Sequence, residues 1–522
     1  MTTAAPKITY TSSGTNLEGF HKLFDAALAE VKTRFGAEHP LYIGGRAETS
    51  KNPPLLDLMP ADTDVVLGKF SSASPAQVAS AAACAKRAQK GWGAMSWQER
   101  VRLLRGAAAK IRERKFEIGA IMSVEVGKNR MESMGDAEEA ADLIDYYSTI
   151  MEQNNGFIRP LGRLSANENT LDVLRPYGVF ACIAPFNFPM ALSTGMSSAA
   201  LLAGNTVVYK PAQDAPWTGL MLYECYAAAG LPAGVFNYVS GQSAVMGDAL
   251  WRNPEVDGIV FTGSKDVGMR FAREFSSNWP KPVLMELGGK NAAIVTESAD
   301  LDMAAEGVMK SAFGLQGQKC SACSRVYVDK TAAAKFTELL IEKSKAITIG
   351  DPSDKNVYFG PLINAKAVKT FEAAVASARK GGKLLLGGGR LSRGKLAKGH
   401  FVEPTVAQLP LNHELFLNEL FVPLLSLGVV SGLDEALKES NKAEFGLTAG
   451  IFTSKKREIE RFFDEVEAGV CYANRRAGAT TGAWPGVQSF CGWKGSGSTG
   501  KGGCGPYYPA QFMREQCRTV ME

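Results

Sequence analysis

From Val179 onward, unbroken apolar runs alternate with longer stretches of helical spacing. "GVFACIAP", "NTVVYKPA", "GVFNYVSG" and "VDGIVFTGS" each read as a strand buried on both faces, because polar residues do not alternate within them. "PWTGLMLYECYAAAG", "SAVMGDALWRNP" and "KDVGMRFAREFSS" lie between or after them and space their apolar residues as helices do. Strands and helices in turn predict a parallel sheet with crossovers. Such sheets bind nucleotides and hold ligands at the carboxyl ends of their strands. A second α/β half starts near residue 290. It contains "AAIVTESADLDMAAEGVMKSAF", "SRVYVD" with the helix "KTAAAKFTELLIEKSKAI", and "LSLGVVSG" with "LDEALKESNKAEFG".

Ahead of Val179 the pattern is different. Residues 75–155 read as helices, the first begun by Ser74 and Pro75, a common N-cap and first-turn pair. "ESMGDAEEAADLIDYYSTIMEQ" reads as a long amphipathic helix. "NNGFIRPLGRLSANENTLDVLRPYG" is extended and turn-punctuated, a hairpin leaving the body of the domain. From about residue 470 the chain is glycine-rich and irregular, and "YYPAQFMREQCRTV" ends it as an edge strand. The run "KKRE" at 455–458 reads as a solvated helix face.

Bulk composition narrows the function classes. A chain of 522 residues with 45% hydrophobic and 21% charged content buries a large core and is expected to hold two lobes. The net charge is +5, with basic residues scattered, so no nucleic-acid partner is expected. No apolar run approaches the ~18–20 residues of a membrane span, so no membrane partner is expected either. The start "MTTAAPKITYTSSG" lacks the layout of a signal peptide. The nine cysteines follow no disulfide framework and read as reduced thiols in a cytoplasm. The four histidines, His21, His39, His400 and His413, are far in sequence from any glycine-rich turn. Metal sites and His-dependent nucleophiles are therefore disfavoured, and no metal is expected.

Several short segments carry chemistry. "GSGSTGKGG" (495–503) nearly spells a phosphate loop, but Gly502 stands where a magnesium-binding hydroxyl is needed. Gly263 and Ser264 end a strand and open a helix, which offers N–H groups to a phosphate or gives a plain cap. Lys210 and Gln213 follow another strand end. Glu286, between apolar residues and before Gly-Gly, has the setting of a general base or of a paired structural carboxylate. Asn187, between two aromatics, suits an oxyanion donor or a turn. In "GQKCSACSR", a lone Cys-x-x-Cys without histidines is no zinc site. A thioredoxin-like redox pair needs a strand-to-helix junction near the start of a small domain, and this pair lies far inside a large one; a single nucleophilic thiol remains, its thiolate favoured by Lys319.

In order along the chain, "PFNFP", "VVYKPA", "FTGS", "ELGGKN", "GQKCSACSR", "NELFVP" and "FCGWKGSG" resemble the aldehyde dehydrogenase superfamily over roughly residues 40–520. "GQKCSACSR", "TGAWPGVQSF" and "FDAALAEVKTRFGAEHPLYIGG" are most similar to its 1-pyrroline-5-carboxylate (glutamate-γ-semialdehyde) dehydrogenase branch. The resemblance implies an α/β fold with three parts. These are a Rossmann-type NAD(P) domain (1–155 and 177–288), an α/β catalytic domain (289–499) and small β oligomerisation strands (156–176 and 500–522). It implies Cys320 as nucleophile with Cys323 a bystander, Asn187 and the Cys320 N–H as oxyanion donors, and Glu286 as the base that activates water on a thioester. It implies cofactor contacts from Lys210, Gln213, Gly263, Ser264, Glu419 and Phe421. The neutral Gln213 stands where many NAD-preferring relatives carry glutamate, so NAD+ use with tolerance of NADP+ is expected. The aldehyde carboxylate would be held by Ser321, Gly482 and Ala483, with Phe188 and Phe490 beside the aliphatic chain. A homodimer or larger even assembly is expected.

Some residues depart from the family pattern. Val422 replaces a glycine, and Ser489 and Cys491 enter the "SFCGW" loop. The stretch from Asn474 to Thr481 is long, and Trp484 and Pro485 add bulk. All but Val422 are expected at the substrate mouth. A bulkier or aromatic aldehyde is therefore an alternative substrate, and a catalytically inactive relative an alternative of another class. Acyl transfer to coenzyme A is disfavoured by Glu286.

Overall fold

The apolar runs from Val179 build one seven-stranded sheet in this computed structural model, which describes Thr9 and residues 17–522. The stretch 1–16, apart from Thr9, lies outside the described residues, and with it the reading that it is no signal peptide. Val179–Ile183 is central in the sheet. Thr206–Lys210 and Phe236–Tyr238 lie to one side, and Gly258–Thr262 and Val283–Glu286 to the other, all parallel. Strand order thus reverses between Val179–Ile183 and Gly258–Thr262, and a crevice opens beyond their carboxyl ends. Leu41–Ile43 and Arg46–Glu48 add an antiparallel edge that the hydrophobic pattern did not predict, because three residues are too short to show a period.

The second half forms another seven-stranded sheet. Its order is Lys383–Leu386, Thr405–Gln408, Leu424–Val430, Cys323–Asp329, Asn291–Val295, Thr448–Phe452 and Val470–Ala473, antiparallel only at the first pair. The hairpin Ile158–Pro160 and Glu168–Pro176 pairs with Met513–Met521, which is an edge strand as expected.

Four helices fill residues 75–153. Ser74 and Gln77 form a capping box at the first. The helix Arg130–Gln153 is not amphipathic, contrary to expectation. It is buried on nearly every face, and its acidic residues are neutralised in place, Asp136 by Lys128 and Glu138 by Lys115, each at 2.7 Å. The helix Ala191–Leu202 escaped the pattern for a related reason: it is buried almost all round, so apolar and small residues show no stripe. Lys455 and Lys456 open an exposed helix, and Lys455 pairs with Glu297 at 2.6 Å. The glycine-rich segment 495–503 is no phosphate loop. Ser496 and Ser498 instead stitch it to the edge strand Val283–Glu286.

Candidate active site

Cys320 sits in the turn that leads into Cys323–Asp329. Leu315, Gln316 and Gly317 bend the chain through left-handed backbone just before it. Asn291 clamps the turn: its side-chain amide donates to the carbonyls of Cys320 (2.8 Å) and Ala322 (2.9 Å), and its oxygen accepts from Thr448 N–H (3.0 Å). Gly289 lets the turn close, since a Cβ there would meet the Cys320 carbonyl oxygen at 2.3 Å. Asn291 was legible only as part of "ELGGKN"; no spacing pointed to its clamp.

Cys320 borders two cavities, of about 690 and 740 Å3. The Cys320 and Ser321 N–H groups favour the thiolate, but burial and the charges of Glu286 and Glu419 push the thiol up to about 12. Lys319 does not supply the help expected of it. Its ammonium pairs with Glu132 at 2.7 Å. Cys323 is buried in the core of the second sheet, and its Sγ lies 3.4 Å from the Arg325 carbonyl.

Glu286 ends the edge strand of the first sheet and lines the smaller cavity with Cys320. Burial raises its carboxyl to about 7, and the Gly503 N–H, donating to Oε1 at 2.7 Å, opposes that rise. Asn187 is buried at the end of Val179–Ile183 and lines the larger cavity, again with Cys320.

The larger cavity occupies the crevice between the reversed strands. Lys210, Gln213, Gly263, Ser264, Glu419 and Phe421 all line it. Lys210 is buried, which lowers its ammonium to about 8, and its Nζ donates to the Pro211 carbonyl at 3.0 Å. Ser264 opens the helix Lys265–Glu274 and makes no side-chain cap bond, so the plain-cap reading fails. Gly263 presents bare backbone there, because a Cβ would strike the Phe261 ring at 2.4 Å. Free helix N–H groups, a bare glycine and a buried lysine fit a dinucleotide's phosphates and ribose. Glu419 accepts from Gly289 N–H at 2.8 Å, and Phe421 packs edge-on against Phe186.

Ser321, Gly482, Ala483, Phe188 and Phe490 all line the smaller cavity. Gly482 needs its positive φ of 90°, and Arg475 holds the loop by donating to the carbonyls of Thr481 and Gly482. Thr480 ties the loop to the thiol turn, donating to the Ser321 carbonyl at 2.7 Å. Arg475, Glu132 and Glu139 were missed in the sequence, because nothing local links them to this wall. Of the departures expected at the mouth, the long stretch 474–481 does reach it, with Arg476, Ala477 and Thr481 lining the cavity, but the expected bulk does not. Trp484, Pro485, Ser489 and Cys491 do not line the cavity; Trp484 turns away and donates to Asp142 at 2.8 Å. Val422 is buried in the second sheet's core.

The family model described as "Aldehyde dehydrogenase family" matches residues 48–516. The chain belongs to the aldehyde dehydrogenase family. It is an NAD(P)-dependent oxidoreductase. This aldehyde dehydrogenase is 36% identical over 515 residues to 1-pyrroline-5-carboxylate dehydrogenase 2 of Bacillus subtilis (strain 168), covering 97% of this chain and 96% of that one. It is 35% identical over 512 residues to 1-pyrroline-5-carboxylate dehydrogenase of Geobacillus sp. (strain WCH70), covering 97% of each. Among solved structures, 1-pyrroline-5-carboxylate dehydrogenase from Thermus with bound NAD superposes on this aldehyde dehydrogenase with a TM-score of 0.93. The identity is 34%, and all of both chains is covered.

Proposed function

We propose that the protein oxidises glutamate-γ-semialdehyde to glutamate with NAD+, tolerating NADP+. The observation that carries the reading is the position of Cys320, the cysteine common to a dinucleotide-shaped crevice and a second cavity. The relatives named above point to the same substrate.

Cys320 gives up its thiol proton to solvent as its sulfur attacks the aldehyde carbon. Asn187 and the Cys320 N–H receive the oxyanion that forms. NAD(P)+, when bound in the crevice, would supply the hydride acceptor. Glu286, facing the same cavity, takes a proton from water and directs the water onto the resulting thioester, releasing the acid and restoring the thiol. Lys210 and Gln213 would hold the adenine ribose, Gly263 and Ser264 the pyrophosphate, and Glu419 and Phe421 the nicotinamide side. The Gly482–Ala483 turn and Ser321 hold the substrate carboxylate. Glu132 and Glu139 on the same wall suit its ammonium, and Phe188 and Phe490 its methylenes.

An aldehyde panel tests this. Glutamate-γ-semialdehyde is expected to give the highest kcat/KM, with glutamate as product. Faster turnover of an aromatic or uncharged aliphatic aldehyde would overturn the substrate assignment. A preference for NAD+ beyond ~1000-fold, about 4 kcal/mol, would end the cofactor-tolerance claim.

The exposed edge strand Met513–Met521 supports a homodimer or larger even assembly. Nine free cysteines, and no helix among the described residues long and apolar enough to cross a membrane, support a cytoplasmic setting.

A further inference from the structure

We propose that the Tyr147 hydroxyl is a positioning group for Glu286, acting through the Gly503–Cys504 peptide. The inference rests on Glu286 being the hydrolytic base.

The segment 490–505 runs along the exposed edge of the strand Val283–Glu286. Leu287 N–H donates to the Ser496 carbonyl (2.8 Å), Met285 N–H to Ser498 Oγ (3.0 Å), and Ser496 Oγ to the Gly288 carbonyl (2.7 Å). These bonds fix the strand beside the base, not its carboxylate. The carboxylate is held by the next turn of the segment. Gly503 N–H donates to Glu286 Oε1 at 2.7 Å, and the following N–H, of Cys504, donates to the Tyr147 hydroxyl oxygen at 3.0 Å.

Two successive N–H groups thus take one ligand each. The first ligand is the base and the second is a phenol fixed in the core. Glycines at 502, 503 and 505 leave this turn pliable by itself. Tyr147 is not pliable. It is fully buried on the helix Arg130–Gln153, and its ring packs on Tyr508 at 5.5 Å. Space around Gly503 is equally tight: a Cβ there would lie 3.1 Å from Glu286 Oε1 and 3.5 Å from the Tyr147 oxygen. The phenol anchors the turn, and the turn aims the amide.

The titratable groups that face Glu286 are Cys320, Cys491, Cys504, Tyr147 and Tyr508, all with thiols or phenols raised by burial and so neutral near pH 7. Glu139 lies just beyond Cys504, its Oε1 3.9 Å from the Sγ. The Gly503 amide therefore carries the stabilisation of the Glu286 carboxylate. Losing it raises the carboxyl further, misplaces the base and slows hydrolysis, while hydride transfer from the Cys320 adduct is left alone.

The test is Tyr147→Phe, which keeps the ring and removes the acceptor, in rapid-mixing assays of NADH formation on the full enzyme. The expected result is a burst of one NADH per site at the wild-type rate, followed by steady-state turnover slowed about tenfold, a fraction of what a full general base contributes. The acid limb of the steady-state pH profile moves up by about one unit. Gly503→Ala, which presses a methyl group on Oε1, gives the same two signatures. An unchanged pH limb with no burst, or equal slowing of burst and steady state, overturns the proposal. Glu286→Gln separates the two levels. If it keeps steady-state turnover, the base reading itself falls. If it stops after one NADH per site while Tyr147→Phe and Gly503→Ala match wild type, only the Tyr147 assignment falls.

Discussion

At the scale of single residues, the site pairs two acids that are both weakened. Glu286 is raised to about 7 and Cys320 to about 12, both by burial. A base must be ionised to work, so steady-state turnover should rise with pH through about 7 and be lost below it. A flat profile between pH 6 and 8 would contradict this, provided hydrolysis limits the rate. The two cysteines of "GQKCSACSR" separate in the same way. Cys320→Ala should abolish turnover with little effect on folding. Cys323→Ala should keep turnover and lose about 1 kcal/mol of stability, read as a lower Tm, because a packed core atom is removed. Residue types were legible here because strand ends and glycine turns are local. The error over Lys319 was not avoidable from sequence. Its partner Glu132 is 187 positions away and reaches it only through the fold.

Elements decide the substrate side. The turn at Gly482 and Ala483, proposed above to hold the carboxylate, is short of regular structure, so its shape depends on groups outside it. Arg475 takes two of its carbonyls, and Thr480 ties it to the thiol turn. Arg475→Ala should therefore raise the KM for the semialdehyde about tenfold, near the cost of a lost charge-assisted hydrogen bond, while the KM for NAD+ stays unchanged. A matching rise in both would point to general unfolding instead. Sequence bulk misled at this scale. Trp484 looked like an obstruction at the mouth, yet its indole N–H finds Asp142 on the helix Arg130–Gln153 and leaves the cavity open. That helix reads as amphipathic in the sequence but is buried on nearly every face. Lys115 opens the preceding helix and Lys128 sits in the link between the two, so neither of the lysines that neutralise its acids in the interior lies within the helix's own pattern. The parallel strands were readable because burial on both faces leaves an unbroken apolar run.

At the scale of the whole molecule, the three-stranded sheet ends in an open edge. Met513–Met521 pairs on one side with Glu168–Pro176 and presents its other side to solvent, with Val520 57% and Met521 60% exposed. An unprotected edge strand nine residues long with apolar side chains at its end is a surface for pairing. If it joins copies of this chain, charge at that end should part them without touching catalysis. The double variant Val520→Glu, Met521→Glu is expected to sediment as a smaller species than wild type at micromolar concentration. Its kcat per site should hold within about twofold, since the cavities around Cys320 lie at the opposite strand ends of the two large sheets and not at this edge. Equal sedimentation of variant and wild type would remove this edge from the assembly. A collapse of kcat alongside a smaller species would mean that a partner copy shapes the site after all.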